Sequence, residues 1–142
     1  MKLGAAAAVT AAFFLAGCGP GDKPAADASA PTPIRSASVT CDGLPDFALL
    51  YVDAAVTACT KGPSTVRENH ESGTVVYRTK TPAAEILSWY KDQSEVKSLT
   101  PSLSTDAMYS ARDGEKRTMV VLTSAVEGGT QVTMNWGRDL GL

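Results

Sequence analysis

The chain has one histidine, His70, and three cysteines, Cys18, Cys41 and Cys59, among 142 residues. Cys41 and Cys59 with a distant His70 lack metal-ligand spacing, which excludes a zinc centre of the usual paired-ligand kind. There is no nucleophile elbow, no phosphate-binding glycine loop and no dinucleotide fingerprint, so no cofactor is expected. Ser104, Ser110 and Ser124 stand in no sequence context that would make any of them a nucleophile. Charge of one sign is also missing: 13 basic residues face 15 acidic ones. Such a balance gives no support to nucleic-acid binding or to a polybasic membrane patch. No repeat of solenoid length is present. The length fits one domain, and a hydrophobic fraction of 44% suits a globular chain.

What is there begins at the N-terminus. Lys2 supplies a positive start, and Leu3 to Ala16 carries no charge. That run suits the apolar region of a secretion signal and is too short for a comfortable transmembrane helix. It ends in Leu15-Ala16-Gly17-Cys18, where the small Ala16 and Gly17 allow a peptidase close to the backbone. Leu-Ala-Gly-Cys resembles the lipobox of bacterial lipoproteins. The resemblance implies cleavage between Gly17 and Cys18, removal of residues 1–17, and lipid on Cys18. Each acyl methylene buried in a membrane is worth about 0.8 kcal/mol, so several chains hold firmly where one is marginal. In that family an Asp after the cysteine often retains the protein at the inner membrane. Gly19 stands there instead, which implies the outer membrane, facing the periplasm. The expected partners are the membrane, through the lipid on Cys18, and an envelope protein.

Residues 18–40 read as the lipidated cysteine and a disordered tether. Pro20, Pro24, Pro31 and Pro33 lie among Gly, Ala, Ser and Thr, with only Ile34 and Val39 large and apolar. Such a segment cannot bury enough surface to offset the entropy of ordering it. It reaches about 25 Å as a coil and about 70 Å if fully extended. A single domain is expected over residues 41–142. Exported chains are oxidised, and Cys41 and Cys59 are the two cysteines left once Cys18 is acylated, so a Cys41–Cys59 disulfide follows.

Pro45 and Asp46 break an early helix, and residues 47–60 read as either helix or strand, with a strand near 54–60 favoured. The polar stretch Glu68-Asn69-His70-Glu71 reads as an exposed loop. If His70 served as a base, Glu68 or Glu71 is the partner the sequence offers. Gly73 to Lys80 is β-branched and aromatic, and reads as a strand. A helix follows: Thr81 as cap, Pro82 at the first helical position, Glu85 near the positive end. Ala83, Ile86, Leu87, Tyr90 and Gln93 fall at helical spacing, with Trp89 beside them. The Trp89–Tyr90 pair reads as core more readily than as a ligand platform. A strand running into Thr81-Pro82…Glu85…Tyr90 is similar to a module of small uncharacterised bacterial envelope proteins, which names no activity.

Ser98 to Thr105 reads as loop around Pro101. Ala107 to Arg112 and Arg117 to Val126 read as strands joined by an Asp113-Gly114 type I′ turn. Met119 to Leu122 is apolar on both parities, so the second of these strands belongs in the middle of a sheet. Gly128-Gly129 is the next turn. Thr130 to Trp136 alternates, with Val132, Met134 and Trp136 on one side. The expected fold is α+β: an antiparallel sheet of four to five strands, one helix on one face, the other face partly wet. The expected function is a non-catalytic binding or assembly module on a lipid anchor. The alternatives are an inhibitor or immunity-type protein, which needs a protruding loop, and an enzyme, which needs a pocket holding His70 or a close carboxylate pair.

Overall fold

Val132, Met134 and Trp136 alternate with polar residues, and in the computed structural model, which describes residues 39–141, all three are buried. They lie on the strand that completes the sheet. The elements run β1 (Ala55–Pro63), β2 (His70–Thr79), α1 (Ala83–Val96), β3 (Thr100–Ser104), β4 (Met108–Asp113), β5 (Arg117–Val126) and β6 (Gly129–Asp139). The strands form one sheet in the order β1-β2-β6-β5-β4-β3, with every neighbouring pair antiparallel. The fold is therefore α+β, with six strands where four to five were expected. The expected signal peptide and lipidated Cys18, with Gly17, lie outside the described residues, as does the tether up to residue 38.

Period-two burial places the core on one face. Val75, Tyr77, Val132, Met134, Met119, Val121 and Tyr109 point to it, and each is at most 1% exposed. Helix α1 covers this face with Ile86, Leu87 and Tyr90. Burying each of these side chains is worth about 1.5–3 kcal/mol. Phe47 and Ala48, on the segment before β1, complete the cluster. The Tyr90 hydroxyl donates to the Leu49 carbonyl at 3.0 Å and meets the Tyr77 hydroxyl at 3.1 Å. Burial pushes the Tyr77 phenol up to about 12 and that of Tyr90 higher still. Trp89 is half-buried, edge-on to Tyr51 and Tyr90, so this aromatic group is packing.

Several local expectations shift by a residue or a role. Thr81 does not cap α1: its N–H is taken by the Thr79 hydroxyl, and Pro82 occupies the cap position rather than the first helical one. Ser94, not Gln93, is the buried residue on the last turn, its hydroxyl bonded to the Tyr90 carbonyl. The helix closes with Ser98 at φ +57°, Ser98 N–H to Glu95 O and Leu99 N–H to Ser94 O, with Leu99 buried against the core. That is the Schellman closure, made with serine where glycine is usual.

The β4–β5 connection is not the expected Asp113-Gly114 pair. Asp113 stays in the ladder opposite Arg117, whose guanidinium donates to its Oδ2 at 2.9 and 3.1 Å. Lys116 N–H closes on the Asp113 carbonyl, so Gly114 and Glu115 are central, and only Gly114 takes a positive φ. A type I′ turn needs both, so it is not formed. Likewise Val126 pairs with Gly129, which makes Glu127-Gly128 the next connection.

Strand β3 was unexpected because Pro101 argues against a strand. All five of its residues are exposed at the sheet edge, and the register shifts between Pro101 and Leu103; an edge and a bulge are both places where a missing N–H is tolerated. The other edge is strapped. Val39 N–H donates to Val56 O, Cys41 is joined to Cys59, and Lys61 Nζ reaches Asp42 O at 2.8 Å. Residues 39–42 thus run alongside β1, held by the expected disulfide (Cα separation 5.6 Å). Both edges are blunted against strand addition.

Candidate functional site

Strand β2 begins three residues earlier than its β-branched stretch suggests. Its first residue is His70, paired with Asp139, the last residue of β6. His70 is therefore not in an exposed loop: it is 8% exposed. The reason lies across the ladder. A side chain at Gly137 would come within 2.6 Å of His70 Nε2 and 3.0 Å of Thr118 Oγ1, so the imidazole lies in the space that glycine leaves open.

The ring is oriented by Asp139. Nδ1 lies 2.8 Å from Asp139 Oδ1. A carboxylate only accepts, so Nδ1 carries the proton and Nε2 holds the lone pair in the neutral ring. Arg67 Nη2 lies 3.5 Å from the same carboxylate oxygen. The hydrogen bond from His70, reinforced by the Arg67 and Lys116 charges against partial burial, holds the Asp139 carboxyl below its ordinary value. The loop from Ser64 to Asn69 closes over this pair. Ser64 Oγ accepts from the Val66 and Arg67 N–H groups, Asn69 sits at φ +54°, and Leu140 N–H donates to Asn69 O. Pro63, Ser64, Arg67, Glu68, Asn69, His70 and Leu140 line a cleft of about 430 Å³.

The sequence offered Glu68 and Glu71 as partners for His70, and neither serves. Glu71 lies on the opposite side of its strand, where Arg138 donates to its Oε2. Glu68 stays exposed on the loop. Asp139, 69 positions away, takes the role. Asp139 and Gly137 were missed. The signal available was Gly137 inside an otherwise alternating strand, which marks a close approach. Of the three serines considered, Ser110 Oγ meets Ser102 Oγ at 2.8 Å on the outer face, and none neighbours His70. Among the described residues no group of three or more His, Cys, Asp or Glu side chains could hold a metal ion. A His–Asp pair at the lining of a cleft, with the imidazole oriented by a carboxylate, is the kind of group that can act as a base.

The second feature is the sheet face opposite α1. Its central rows run Thr74–Asn135–Val120–Ser110 and Val76–Thr133–Leu122–Met108 across four strands. None of these eight residues is charged, and seven are half-exposed, with Leu122 at 40%. A separate cleft of about 430 Å³ lies at the other end of the sheet, lined by Asp53, Arg78, Lys80 and the Val126–Gly129 turn. The Asp53 carboxylate there is engaged by the Thr79 hydroxyl at 2.6 Å.

No known protein family, curated protein or solved structure matches this chain. No helix among the described residues is long and apolar enough to cross a membrane.

Proposed function

We propose that this chain is a cell-envelope lipoprotein, anchored through lipid on Cys18 to the outer membrane and facing the periplasm, whose domain binds or assembles rather than catalyses. The observation that supports binding is the uncovered sheet face. Helix α1 and Phe47 bury one side of a six-stranded sheet, while eight uncharged residues on the other side remain in contact with water. A rigid, half-apolar surface of this kind is what a partner needs, and the blunted edges leave the face as the way to engage it. The anchor reading rests on Leu15-Ala16-Gly17-Cys18 after an uncharged run.

The test is a pull-down from chemically crosslinked envelopes using the lipidated protein. A specific product lost on Leu122→Lys, with the thermal midpoint kept, supports binding. A fatty-acid probe should label the wild-type chain and not Cys18→Ser; labelling that persists in Cys18→Ser rejects the anchor.

The His70–Asp139 pair favours a second reading, an enzyme. An oriented imidazole beside a cleft is the arrangement of a general base. Turnover of an envelope substrate that disappears in His70→Ala, with folding and crosslinking unchanged, would replace the binding reading.

A further inference from the structure

We propose that the uncovered sheet face binds a second copy of this chain, about a two-fold axis parallel to the strands. The idea deepens the assembly reading and rests on the lipid anchor it includes.

Three observations carry it. The first is charge. The centre of the face, including Val120, Leu122, Thr133 and Asn135, has no charge, so a copy of itself meets no like-charge repulsion there. Charges sit at the corners. Arg78 lies at the end of β2, and Asp106 precedes β4 at the same end of the sheet. An axis parallel to the strands and midway between β6 and β5 exchanges the β2 and β4 positions. It brings Arg78 of one copy over Asp106 of the other, twice per dimer. At the opposite end it carries Arg112 toward the corner holding Asp139. Neither Arg78 nor Arg112 has an ion-pair partner among the described residues.

The second is the direction in which the chain enters. Val39 is bonded to Val56 at the start of β1, beside the end of β2. An axis parallel to the strands leaves both entry points at the same end of the dimer. Two anchors can then reach one bilayer. An axis perpendicular to the strands would send them to opposite ends.

The third is size. Four strands are about 20 Å across and the face from Ser72 to Arg78 is about 20 Å along the strands, so each copy offers on the order of 400 Å². The two copies together bury on the order of 800 Å², below the roughly 1,000 Å² of a stable interface and in the range of a weak, transient one. Such an area suits a contact formed between chains confined to a membrane, where effective concentration is high. Sheets packing face to face with strands nearly aligned are a common arrangement.

The test uses the full lipidated chain in its own envelope membranes. With Cys41 and Cys59 joined and Cys18 acylated, Leu122→Cys supplies the single free thiol. A short bismaleimide should give a covalent homodimer with Leu122→Cys and not with Ser88→Cys, which lies on exposed α1. Adding Arg78→Asp should lower the Leu122→Cys yield about fivefold by placing like charges together, and Asp106→Arg added to that should restore it. No product from Leu122→Cys, an equal product from Ser88→Cys, or a product containing a different protein overturns the proposal. Fatty-acid labelling of the same membranes reads the anchor separately, so loss of label with the crosslink retained rejects only the anchor.

Discussion

His70 and Asp139, the first residue of β2 and the last of β6, are joined by a 2.8 Å hydrogen bond across the end of the sheet. This contact ties the C-terminal strand to the loop before β2. Arg67 adds a 3.5 Å approach to the same carboxylate, and Asn69 accepts the Leu140 N–H.

The pair has a pH consequence. The Asp139 carboxyl is held below its ordinary value in the fold, chiefly by His70. A depressed carboxyl stabilises the folded chain at pH above its unfolded value of about 4 and loses that contribution as pH falls through the lower folded value. The urea midpoint should therefore drop on acidification below about pH 4, and Asp139→Asn should show a shallower drop. An identical acid limb in Asp139→Asn would show that other carboxylates set it.

Gly137 is the residue that leaves room for the His70 ring against the sheet. Gly137→Ala places a methyl within 2.6 Å of Nε2 and 3.0 Å of the Thr118 hydroxyl. Forcing the ring out should destabilise the domain by about 1–3 kcal/mol. The histidine ring signals in an NMR spectrum should move as well. Unchanged signals would place the ring elsewhere.

Ser98 ends α1 at φ +57°, a conformation that glycine adopts without strain. Relief of about 1–2 kcal/mol of left-handed strain outweighs about 0.5–1 kcal/mol of extra unfolded-chain entropy, so Ser98→Gly should raise stability by up to about 1 kcal/mol, read as a higher denaturant midpoint. A lower midpoint would mean that the serine side chain contributes more than its backbone strain removes.

The Cys41–Cys59 bridge fastens residues 39–42 along β1. Closing a loop of this length is worth about 3 kcal/mol in the chain-entropy model. Cys41→Ser with Cys59→Ser should lower stability by roughly that amount and speed proteolysis at residues 39–44. Under denaturing, non-reducing conditions a thiol reagent should label neither cysteine of the wild-type chain.

Local chemistry made much of the domain legible. Thr130 to Trp136 alternates because only one side of β6 is covered, and the apolar run from Met119 to Leu122 marks a strand flanked on both edges. Ile86, Leu87 and Tyr90 announce the helix by their spacing, and the pairing of Cys41 with Cys59 follows from counting cysteines in an exported chain. Tertiary position decided the rest. Pro101 is compatible with a strand because β3 is an edge whose register shifts just after it, and no local signal says which strand will be an edge. Asp113 belongs to the ladder and not to the turn because Arg117 holds it there. His70 stands in a polar stretch that reads as exposed. It is buried because Gly137 and Asp139, nearly seventy residues away, lie opposite it across the β2–β6 ladder. A sequence shows each side chain's own preference; which groups meet across a sheet depends on strand order and register, and those emerge only when the whole chain packs.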